Sequence, residues 1–211
     1  MRRSLSKSAW SLTILAVLAG LLYDSWPLGY WLNPLVARAG LASELEAIHQ
    51  PFNWLFVSGD VVSSVLVILI AVWLWRYKTG NRLLARLALG STIVYALLTI
   101  ADALLPMRCD PSVSQCPSFR VDHLLLLHGI CSIAAAVFLF VSLAVSWWHD
   151  RKNLWLNGLL LGYVVFGIFS LVAAILPGRD NWSQHYYLTL CAVWIAFIPY
   201  AIRRMPAHRT N

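Results

Sequence analysis

Residues 123–148 read HLLLLHGICSIAAAVFLFVSLAVSWW, an apolar stretch that contains no Asp, Glu, Lys or Arg. A helix needs about 20 consecutive apolar residues to cross the hydrocarbon core of a bilayer. This stretch is long enough to do so, and it therefore predicts a membrane-spanning helix.

Five further apolar segments surround this one in a chain of 211 residues that is 60% hydrophobic and 12% charged. No soluble domain of this size can bury so much apolar surface in one core. We therefore predict an all-α, multi-pass membrane protein with six helices in one bundle and almost no domain outside the membrane. The approximate segments are 9–31, 52–75, 83–105, 122–148, 154–176 and 182–203.

The first segment is open to two interpretations. Basic residues at the N-terminus and small residues near position 19 resemble a cleaved signal peptide. We favour an uncleaved helix, because the segment continues through Tyr23, Trp26 and Trp31, and aromatic residues of this kind suit a membrane interface. Either interpretation leaves the other five helices in the same orientation.

The formal net charge of +7 does not indicate nucleic-acid binding, because the basic residues lie in short loops between apolar segments. Such loops are more basic on the cytoplasmic side of a membrane. We therefore predict a cell-membrane protein in which the six segments alternate in direction and both termini are cytoplasmic. In this orientation every acidic residue except Asp150 lies in or near the outer side. The basic residues assigned to the cytoplasmic side are Arg2, Arg3, Lys7, Arg76, Lys78, Arg82, Arg86, Arg151, Lys152, Arg203, Arg204 and Arg209.

Two cysteines, Cys109 and Cys116, lie close together in the second outer loop. We expect a disulfide between them, because the outer side of a cell membrane is oxidising. A metal pair or a redox pair would favour tighter spacing. Cys131 and Cys191 lie within apolar helices, where a small buried hydrophobic role is the simpler interpretation.

Four ionisable residues lie inside the predicted helices at similar depth. At 1.5 Å per residue, Asp60 lies about 9 Å, Asp102 about 5 Å and His128 about 8 to 10 Å from the outer ends of their helices. His185 lies in the first turn of the last helix. Because ionisable groups are costly in hydrocarbon, these four are the candidate site residues, and we expect them to line one polar pocket in the outer leaflet with His185 at its mouth.

Hydroxyl groups accompany the ionisable residues at helical spacing. Ser63 and Ser64 follow Asp60 on one helix face, Ser132 follows His128, and Thr189 follows His185. Each hydroxyl has a simpler alternative role, because serine and threonine in membrane helices often bond to their own backbone or allow close helix packing.

A metal site receives little support from the sequence. His123 and His128 are five positions apart, which places them about 140° apart around a helix. A site built from His128, His185 and an aspartate would require ligands from several helices, which zinc permits but no local motif indicates. We expect neither a metal nor another cofactor.

Several motifs together resemble the bacterial six-helix membrane proteins grouped as domain-of-unknown-function family 998. They are residues 43–47 (SELEA), 50–60 (QPFNWLFVSGD) and 104–116 (LLPMRCDPSVSQC), followed by Asp122, His123 and His128. The resemblance covers nearly the whole chain and implies the six-helix architecture, but it supplies no reaction. It directs attention to Asp60, Asp102, Cys109, Cys116, His123 and His128.

Two functions remain open at this point. In the first, the polar residues bind or handle a membrane lipid or a small ligand. In the second, the protein is an intramembrane lipid hydrolase or transferase in which His128 is the general base, Asp102 or Asp60 orients it, Ser63, Ser64 or water is the nucleophile and His185 donates a hydrogen bond. No nucleophile or phosphate-loop signature favours the enzyme.

Overall fold

The computed structural model describes residues 2–78, 83–105, 107–108, 123–175 and 182–205. Within these ranges the chain forms helices and no strand, which confirms the all-α class. The helices are α1 (Arg2–Tyr23), α2 (Gly29–Leu32), α3 (Pro34–Ala39), α4 (Asn53–Lys78), α5 (Leu83–Leu104), α6 (His123–His149), α7 (Leu154–Ile175) and α8 (Trp182–Arg204). Two short 3-10 turns, Trp26–Leu28 and Ala42–Glu46, lie between them.

Five helices, α4 to α8, are long and apolar enough to cross a membrane. The first apolar region passes the same test only when α1 and the segment Trp26–Leu32 are taken together across a bend of 42°. The described chain therefore carries five spans, or six if the bent pair is one span.

The prediction of one continuous helix over 9–31 was wrong. Helix α1 ends at Tyr23, and Pro27 occupies the start of the 3-10 turn that follows. A proline at this position cannot continue the helix, because it has no backbone N–H and its ring would meet the carbonyl four residues earlier, that of Tyr23. The Trp26 indole N–H donates to Asp24 Oδ1 at 2.6 Å, which stabilises the bend.

Neighbouring helices pack antiparallel in a closed ring in the order α1, α4, α5, α6, α7, α8, and α8 also contacts α4 and α6. Helix α8 is the most buried of the spans, with Trp194 and Ile195 in the core. Helices α4, α6 and α8 begin at the end of the bundle where α5 and α7 finish. We call this the strap end, because residues 34–48 cross it.

Helix α1 is held by very close backbone approaches to two neighbours. A Cβ atom added at Gly20 would lie 2.7 Å from the Ala192 carbonyl oxygen of α8. A Cβ atom added at Gly59 of α4 would lie 3.0 Å from the Leu22 carbonyl oxygen. Small residues permit such contacts between membrane helices, where packing contributes much of the association energy.

Residues 34–48, which precede α4, fold over the strap end of the bundle. Val36, Ala37 and Leu45 pack with Phe56 of α4 in a small apolar cluster. Ala47 packs in a second cluster with Met107 and Leu125, which belong to the end of the α5 region and the start of α6. This segment therefore contacts several helices near the predicted depth of the site residues.

Candidate functional site

Asp102, near the end of α5, faces the first turns of α6. Its Oδ1 lies 3.1 Å from His128 Nδ1, and its Oδ2 accepts a hydrogen bond from Ser132 Oγ at 2.7 Å. Oδ2 is therefore hydrogen-bonded to the neighbouring helix, whereas Oδ1 lies against the His128 ring without a hydrogen-bond partner among the described residues. The α5–α6 packing brings together two of the four candidate residues, Asp102 and His128.

The surroundings of His128 determine which ring nitrogen carries the proton. Nδ1 lies 3.2 Å from the Asp102 carbonyl oxygen and 3.1 Å from the Leu105 carbonyl oxygen. Carbonyl oxygens only accept hydrogen bonds, so Nδ1 is the donor. In the neutral ring Nε2 is then an acceptor, and no partner contacts it among the described residues.

Asp60 of α4 interacts with two carboxyl groups near His128, those of Glu46 and Asp102. Its side chain shares a hydrogen bond with Glu46, and its charge interacts with that of Asp102. Two carboxyl groups can hydrogen-bond only when one of them is protonated. We call the set Glu46, Asp60, Asp102, His128 and Ser132 the acidic cluster.

Glu46 is a member of the acidic cluster that the sequence analysis did not single out. Burial raises the pKa of Glu46 well above its usual range, and the charges of Asp60 and Asp102 and the hydrogen bond that Glu46 donates to Asp60 add to the effect. The sequence feature that could have identified Glu46 is its position in the SELEA motif before α4. Its interaction with Asp60, however, depends on the conformation of the 3-10 turn.

His185 lies among aromatic residues, and no described contact joins it to the acidic cluster. Its ring stacks on Trp26, with the ring centroids 4.2 Å apart and the planes 6° from parallel, and Tyr30 packs against it edge-on. The His185 side chain is buried, and its Nε2 has no hydrogen-bond partner among the described residues. Its predicted place at the mouth of a shared pocket remains a prediction.

The serines of α4 make no hydrogen bond with His128 among the described residues. Ser63 Oγ donates to the Ala19 carbonyl oxygen of α1 at 2.7 Å, so this hydroxyl ties two helices together. Ser64 is equally buried, and its Oγ has no hydrogen-bond partner within the described part of the chain. The hydroxyl in the cluster is that of Ser132, and it donates to Asp102 rather than to a histidine.

The remaining predicted residues divide into described and undescribed positions. Cys109 and Cys116 lie outside the described residues, so their disulfide remains a prediction. His123 is exposed at the start of α6, and Cys191 is buried in the core, as expected for a small apolar side chain. Within the described ranges, no three His, Cys, Asp or Glu side chains are arranged as metal ligands.

Comparison with known proteins gives one match. The family model "Protein of unknown function (DUF998)" matches residues 12–207, which is nearly the whole chain. No curated protein and no solved structure matches. The chain is a multi-pass membrane protein that belongs to the DUF998 family.

Proposed function

We propose that the acidic cluster binds the polar group of a membrane lipid, or of another small ligand, in the outer leaflet. The observation that carries the proposal is the Asp102–His128 pair. The carbonyl oxygens of Asp102 and Leu105 fix Nδ1 of this histidine as the donor, which leaves Nε2 as an acceptor without a described partner. An ordered acceptor beside partly buried carboxyl groups is suited to a ligand that donates hydrogen bonds.

The orientation follows from charge. Basic residues at the end of the bundle opposite the strap end include Arg151, Arg203 and Arg204. Arg151 packs over the Trp148 ring, and Arg204 pairs with Asp150 at 3.8 Å. Because basic loops favour the cytoplasmic side, this end and both termini are assigned to the cytoplasm of a cell-membrane protein, with the strap end outside.

One observation favours the enzymatic alternative. The hydrogen bonds from His128 Nδ1 to the Asp102 and Leu105 carbonyl oxygens leave Nε2 available as a general base, and the Asp102 carboxylate beside the ring would stabilise the protonated form of the base. No hydroxyl lies against Nε2 among the described residues, so a hydrolytic step at this site would use water as its nucleophile. Binding explains the same geometry without requiring a reaction, and we therefore place it first.

The proposal can be tested by native mass spectrometry of protein taken from phosphatidylethanolamine–phosphatidylglycerol vesicles. The wild type should retain a bound lipid, and His128→Ala should lose it. Ser142→Ala is the matched control, because Ser142 makes a hydrogen bond of 2.9 Å with Thr92 between the same two helices, outside the cluster. Equal lipid retention by all three proteins would contradict lipid binding at the cluster.

The same variants separate binding from catalysis. If the protein is an enzyme, wild-type protein should release headgroups or acyl chains from these vesicles over time, and His128→Ala should lose turnover while it remains folded. Retained lipid without turnover supports a binding protein. Loss of folding in His128→Ala, with Ser142→Ala intact, would instead assign the cluster a structural role.

A further inference from the structure

The bend that follows α1 lies inside the bundle rather than at its end. A Cβ atom added at Gly59 would lie 3.0 Å from the Leu22 carbonyl oxygen and 3.3 Å from Ser25 Oγ, so the bend packs against this part of α4. Gly59 is six residues beyond the first residue of α4, Asn53, which at 1.5 Å per residue is about 9 Å from the helix end. Non-helical backbone at such a depth is found where protein covers it or where it lines a polar cavity.

Asp24 occupies the bend, and two neutral groups donate hydrogen bonds to its carboxylate. The Trp26 indole N–H donates to Oδ1 at 2.6 Å, and Thr189 Oγ1 of α8 lies 3.1 Å from Oδ1 and 3.4 Å from Oδ2. Among the described residues, no Lys, Arg or His forms an ion pair with Asp24. This half-buried carboxylate therefore keeps its negative charge without a described cationic partner, and Oδ2 has the weaker of its hydrogen bonds.

The end of α1 adds to the negative potential around Asp24. The helix ends at Tyr23, the residue before Asp24, and its last turn contains no basic residue. The C-terminus of a helix carries a partial negative charge, which stabilises a cation and destabilises a carboxylate. Ionisable groups within a membrane usually pair with a partner of opposite charge. The bend is therefore suited to a positive charge that the described residues do not provide.

Aromatic rings lie beside this carboxylate. The Trp26 ring stacks on that of His185, and Tyr30 packs edge-on against both, with ring centroids 5.9 Å and 6.3 Å away. Tyr30 is 41% exposed, so part of its ring is accessible. Aromatic rings attract ammonium groups. Ca²⁺ or Mg²⁺ would require about six oxygen ligands, whereas the described partners of Asp24 are two groups that donate to it.

We propose that an ammonium group binds in the bend and pairs with the Asp24 carboxylate. The bend site consists of Asp24, Trp26, Tyr30, His185 and Thr189. The headgroup of phosphatidylethanolamine and a free amine such as ethanolamine are the two sources of this group. The bend site goes beyond the proposed function and does not rest on it, because no described contact joins it to the acidic cluster.

Native mass spectrometry of the full-length protein in detergent tests the lipid source. Phosphatidylethanolamine and phosphatidylglycerol with identical acyl chains are titrated separately, and the readout is the ratio of their apparent dissociation constants. The wild type should prefer phosphatidylethanolamine, and Asp24→Asn should lose about tenfold of this preference, the scale of one hydrogen bond between charged groups. Asparagine removes the charge but retains an oxygen that accepts from Trp26 and Thr189.

Thermal unfolding in detergent without added lipid tests the soluble source. The Tm in ethanolamine hydrochloride is compared with the Tm in sodium chloride at the same ionic strength. If a free amine is the ligand, ethanolamine should raise the Tm of the wild type and leave that of Asp24→Asn unchanged. If the ligand is the lipid alone, the preference in mass spectrometry should appear without this shift.

Asp150→Asn is the matched control for both experiments. It neutralises a carboxylate at the opposite end of the bundle, 3.8 Å from Arg204, and it should behave as the wild type does. If Asp24→Asn does not fold, Tyr30→Leu tests the same site, because it removes an accessible ring and should lower the preference or the shift.

Two results would overturn the proposal. The first is a wild type that shows neither the lipid preference nor the ethanolamine shift, as expected if Asp24 holds a proton instead of a cation. The second is a preference or shift that is equal in the wild type and Asp24→Asn, or in the wild type and Tyr30→Leu where that variant replaces it. His128→Ala should keep the wild-type behaviour at the bend, so failure here is distinguishable from failure of the proposed function.

Discussion

Asp102 connects more members of the acidic cluster than any other residue described in it. One carboxylate oxygen faces His128, the other accepts from Ser132, and its charge reaches Asp60 and Glu46. Hydrogen bonds to a charged group contribute about 1.5 to 3 kcal/mol each, and more is lost when a buried partner is stranded. Substitutions at Asp102 should therefore affect residues on several helices.

The free energy of unfolding should depend on pH through Glu46. Its folded-state pKa is raised above the ordinary value of 4.5, so the folded protein binds more protons than the unfolded chain above that pH. The contribution is fully present below pH 4.5 and is lost as pH rises through the folded pKa. The difference in unfolding free energy between wild type and Glu46→Gln, measured in detergent, should therefore decline with rising pH. A pH-independent difference would contradict the assignment.

Residue type and depth were enough to select Asp60, Asp102 and His128, because the cost of an ionisable group in hydrocarbon is visible in the sequence. Glu46 could not be selected in this way, since it lies outside the apolar segments. Its role depends on how a short turn lies against α4, which is a tertiary feature. The aromatic surroundings of His185 likewise depend on the bend before Trp26.

At the scale of elements, the contact between α1 and α8 depends on the absence of a side chain at Gly20. Gly20→Ala should destabilise the protein by about 1 to 3 kcal/mol, because its Cβ would clash with the backbone of α8. Gly129→Ala in α6 is the matched control: apart from its chain neighbours and the adjacent backbone of its own helix, no described atom lies within 4 Å of the added Cβ, so the change should be neutral or slightly stabilising. Thermal unfolding in detergent measures both, and equal effects would contradict the packing described for α1.

The long helices could be predicted to within a few residues, because an uninterrupted apolar segment is a local property. The segments 83–105 and 154–176, for example, correspond to Leu83–Leu104 and Leu154–Ile175. The bend after Tyr23 was missed because the aromatic residues beyond it continue the apolar pattern. Pro27 was the signal that could have indicated the break.

The connection between α5 and α6 should carry a disulfide. Cys109 and Cys116 lie on the side assigned to the cell exterior, where thiols are oxidised. Peptide mass analysis without reductant, after alkylation of free thiols, should find the two cysteines linked, while Cys191 remains unmodified until the protein is unfolded. Alkylation of both Cys109 and Cys116 in the native protein would refute the bridge.

At the scale of the whole molecule, the distribution of charge predicts the orientation. A single cysteine introduced between Trp75 and Leu83, in a background without the native cysteines, should react with a membrane-impermeant thiol reagent only after the cells are permeabilised. A cysteine in place of Ile48, which is exposed at the strap end, is the control, and it should react in intact cells. The reverse pattern would place the acidic cluster in the inner leaflet.

The central claim is that Asp102 and His128 act as one unit across the α5–α6 interface. A double-mutant cycle of Asp102→Ala and His128→Ala, followed by SDS-driven unfolding in mixed micelles, tests it most directly. We predict a coupling free energy of about 0.5 to 3 kcal/mol, whereas Asp102→Ala and Ser142→Ala, which share no partner, should add to within about 0.5 kcal/mol. Additive effects of Asp102→Ala and His128→Ala would contradict the account.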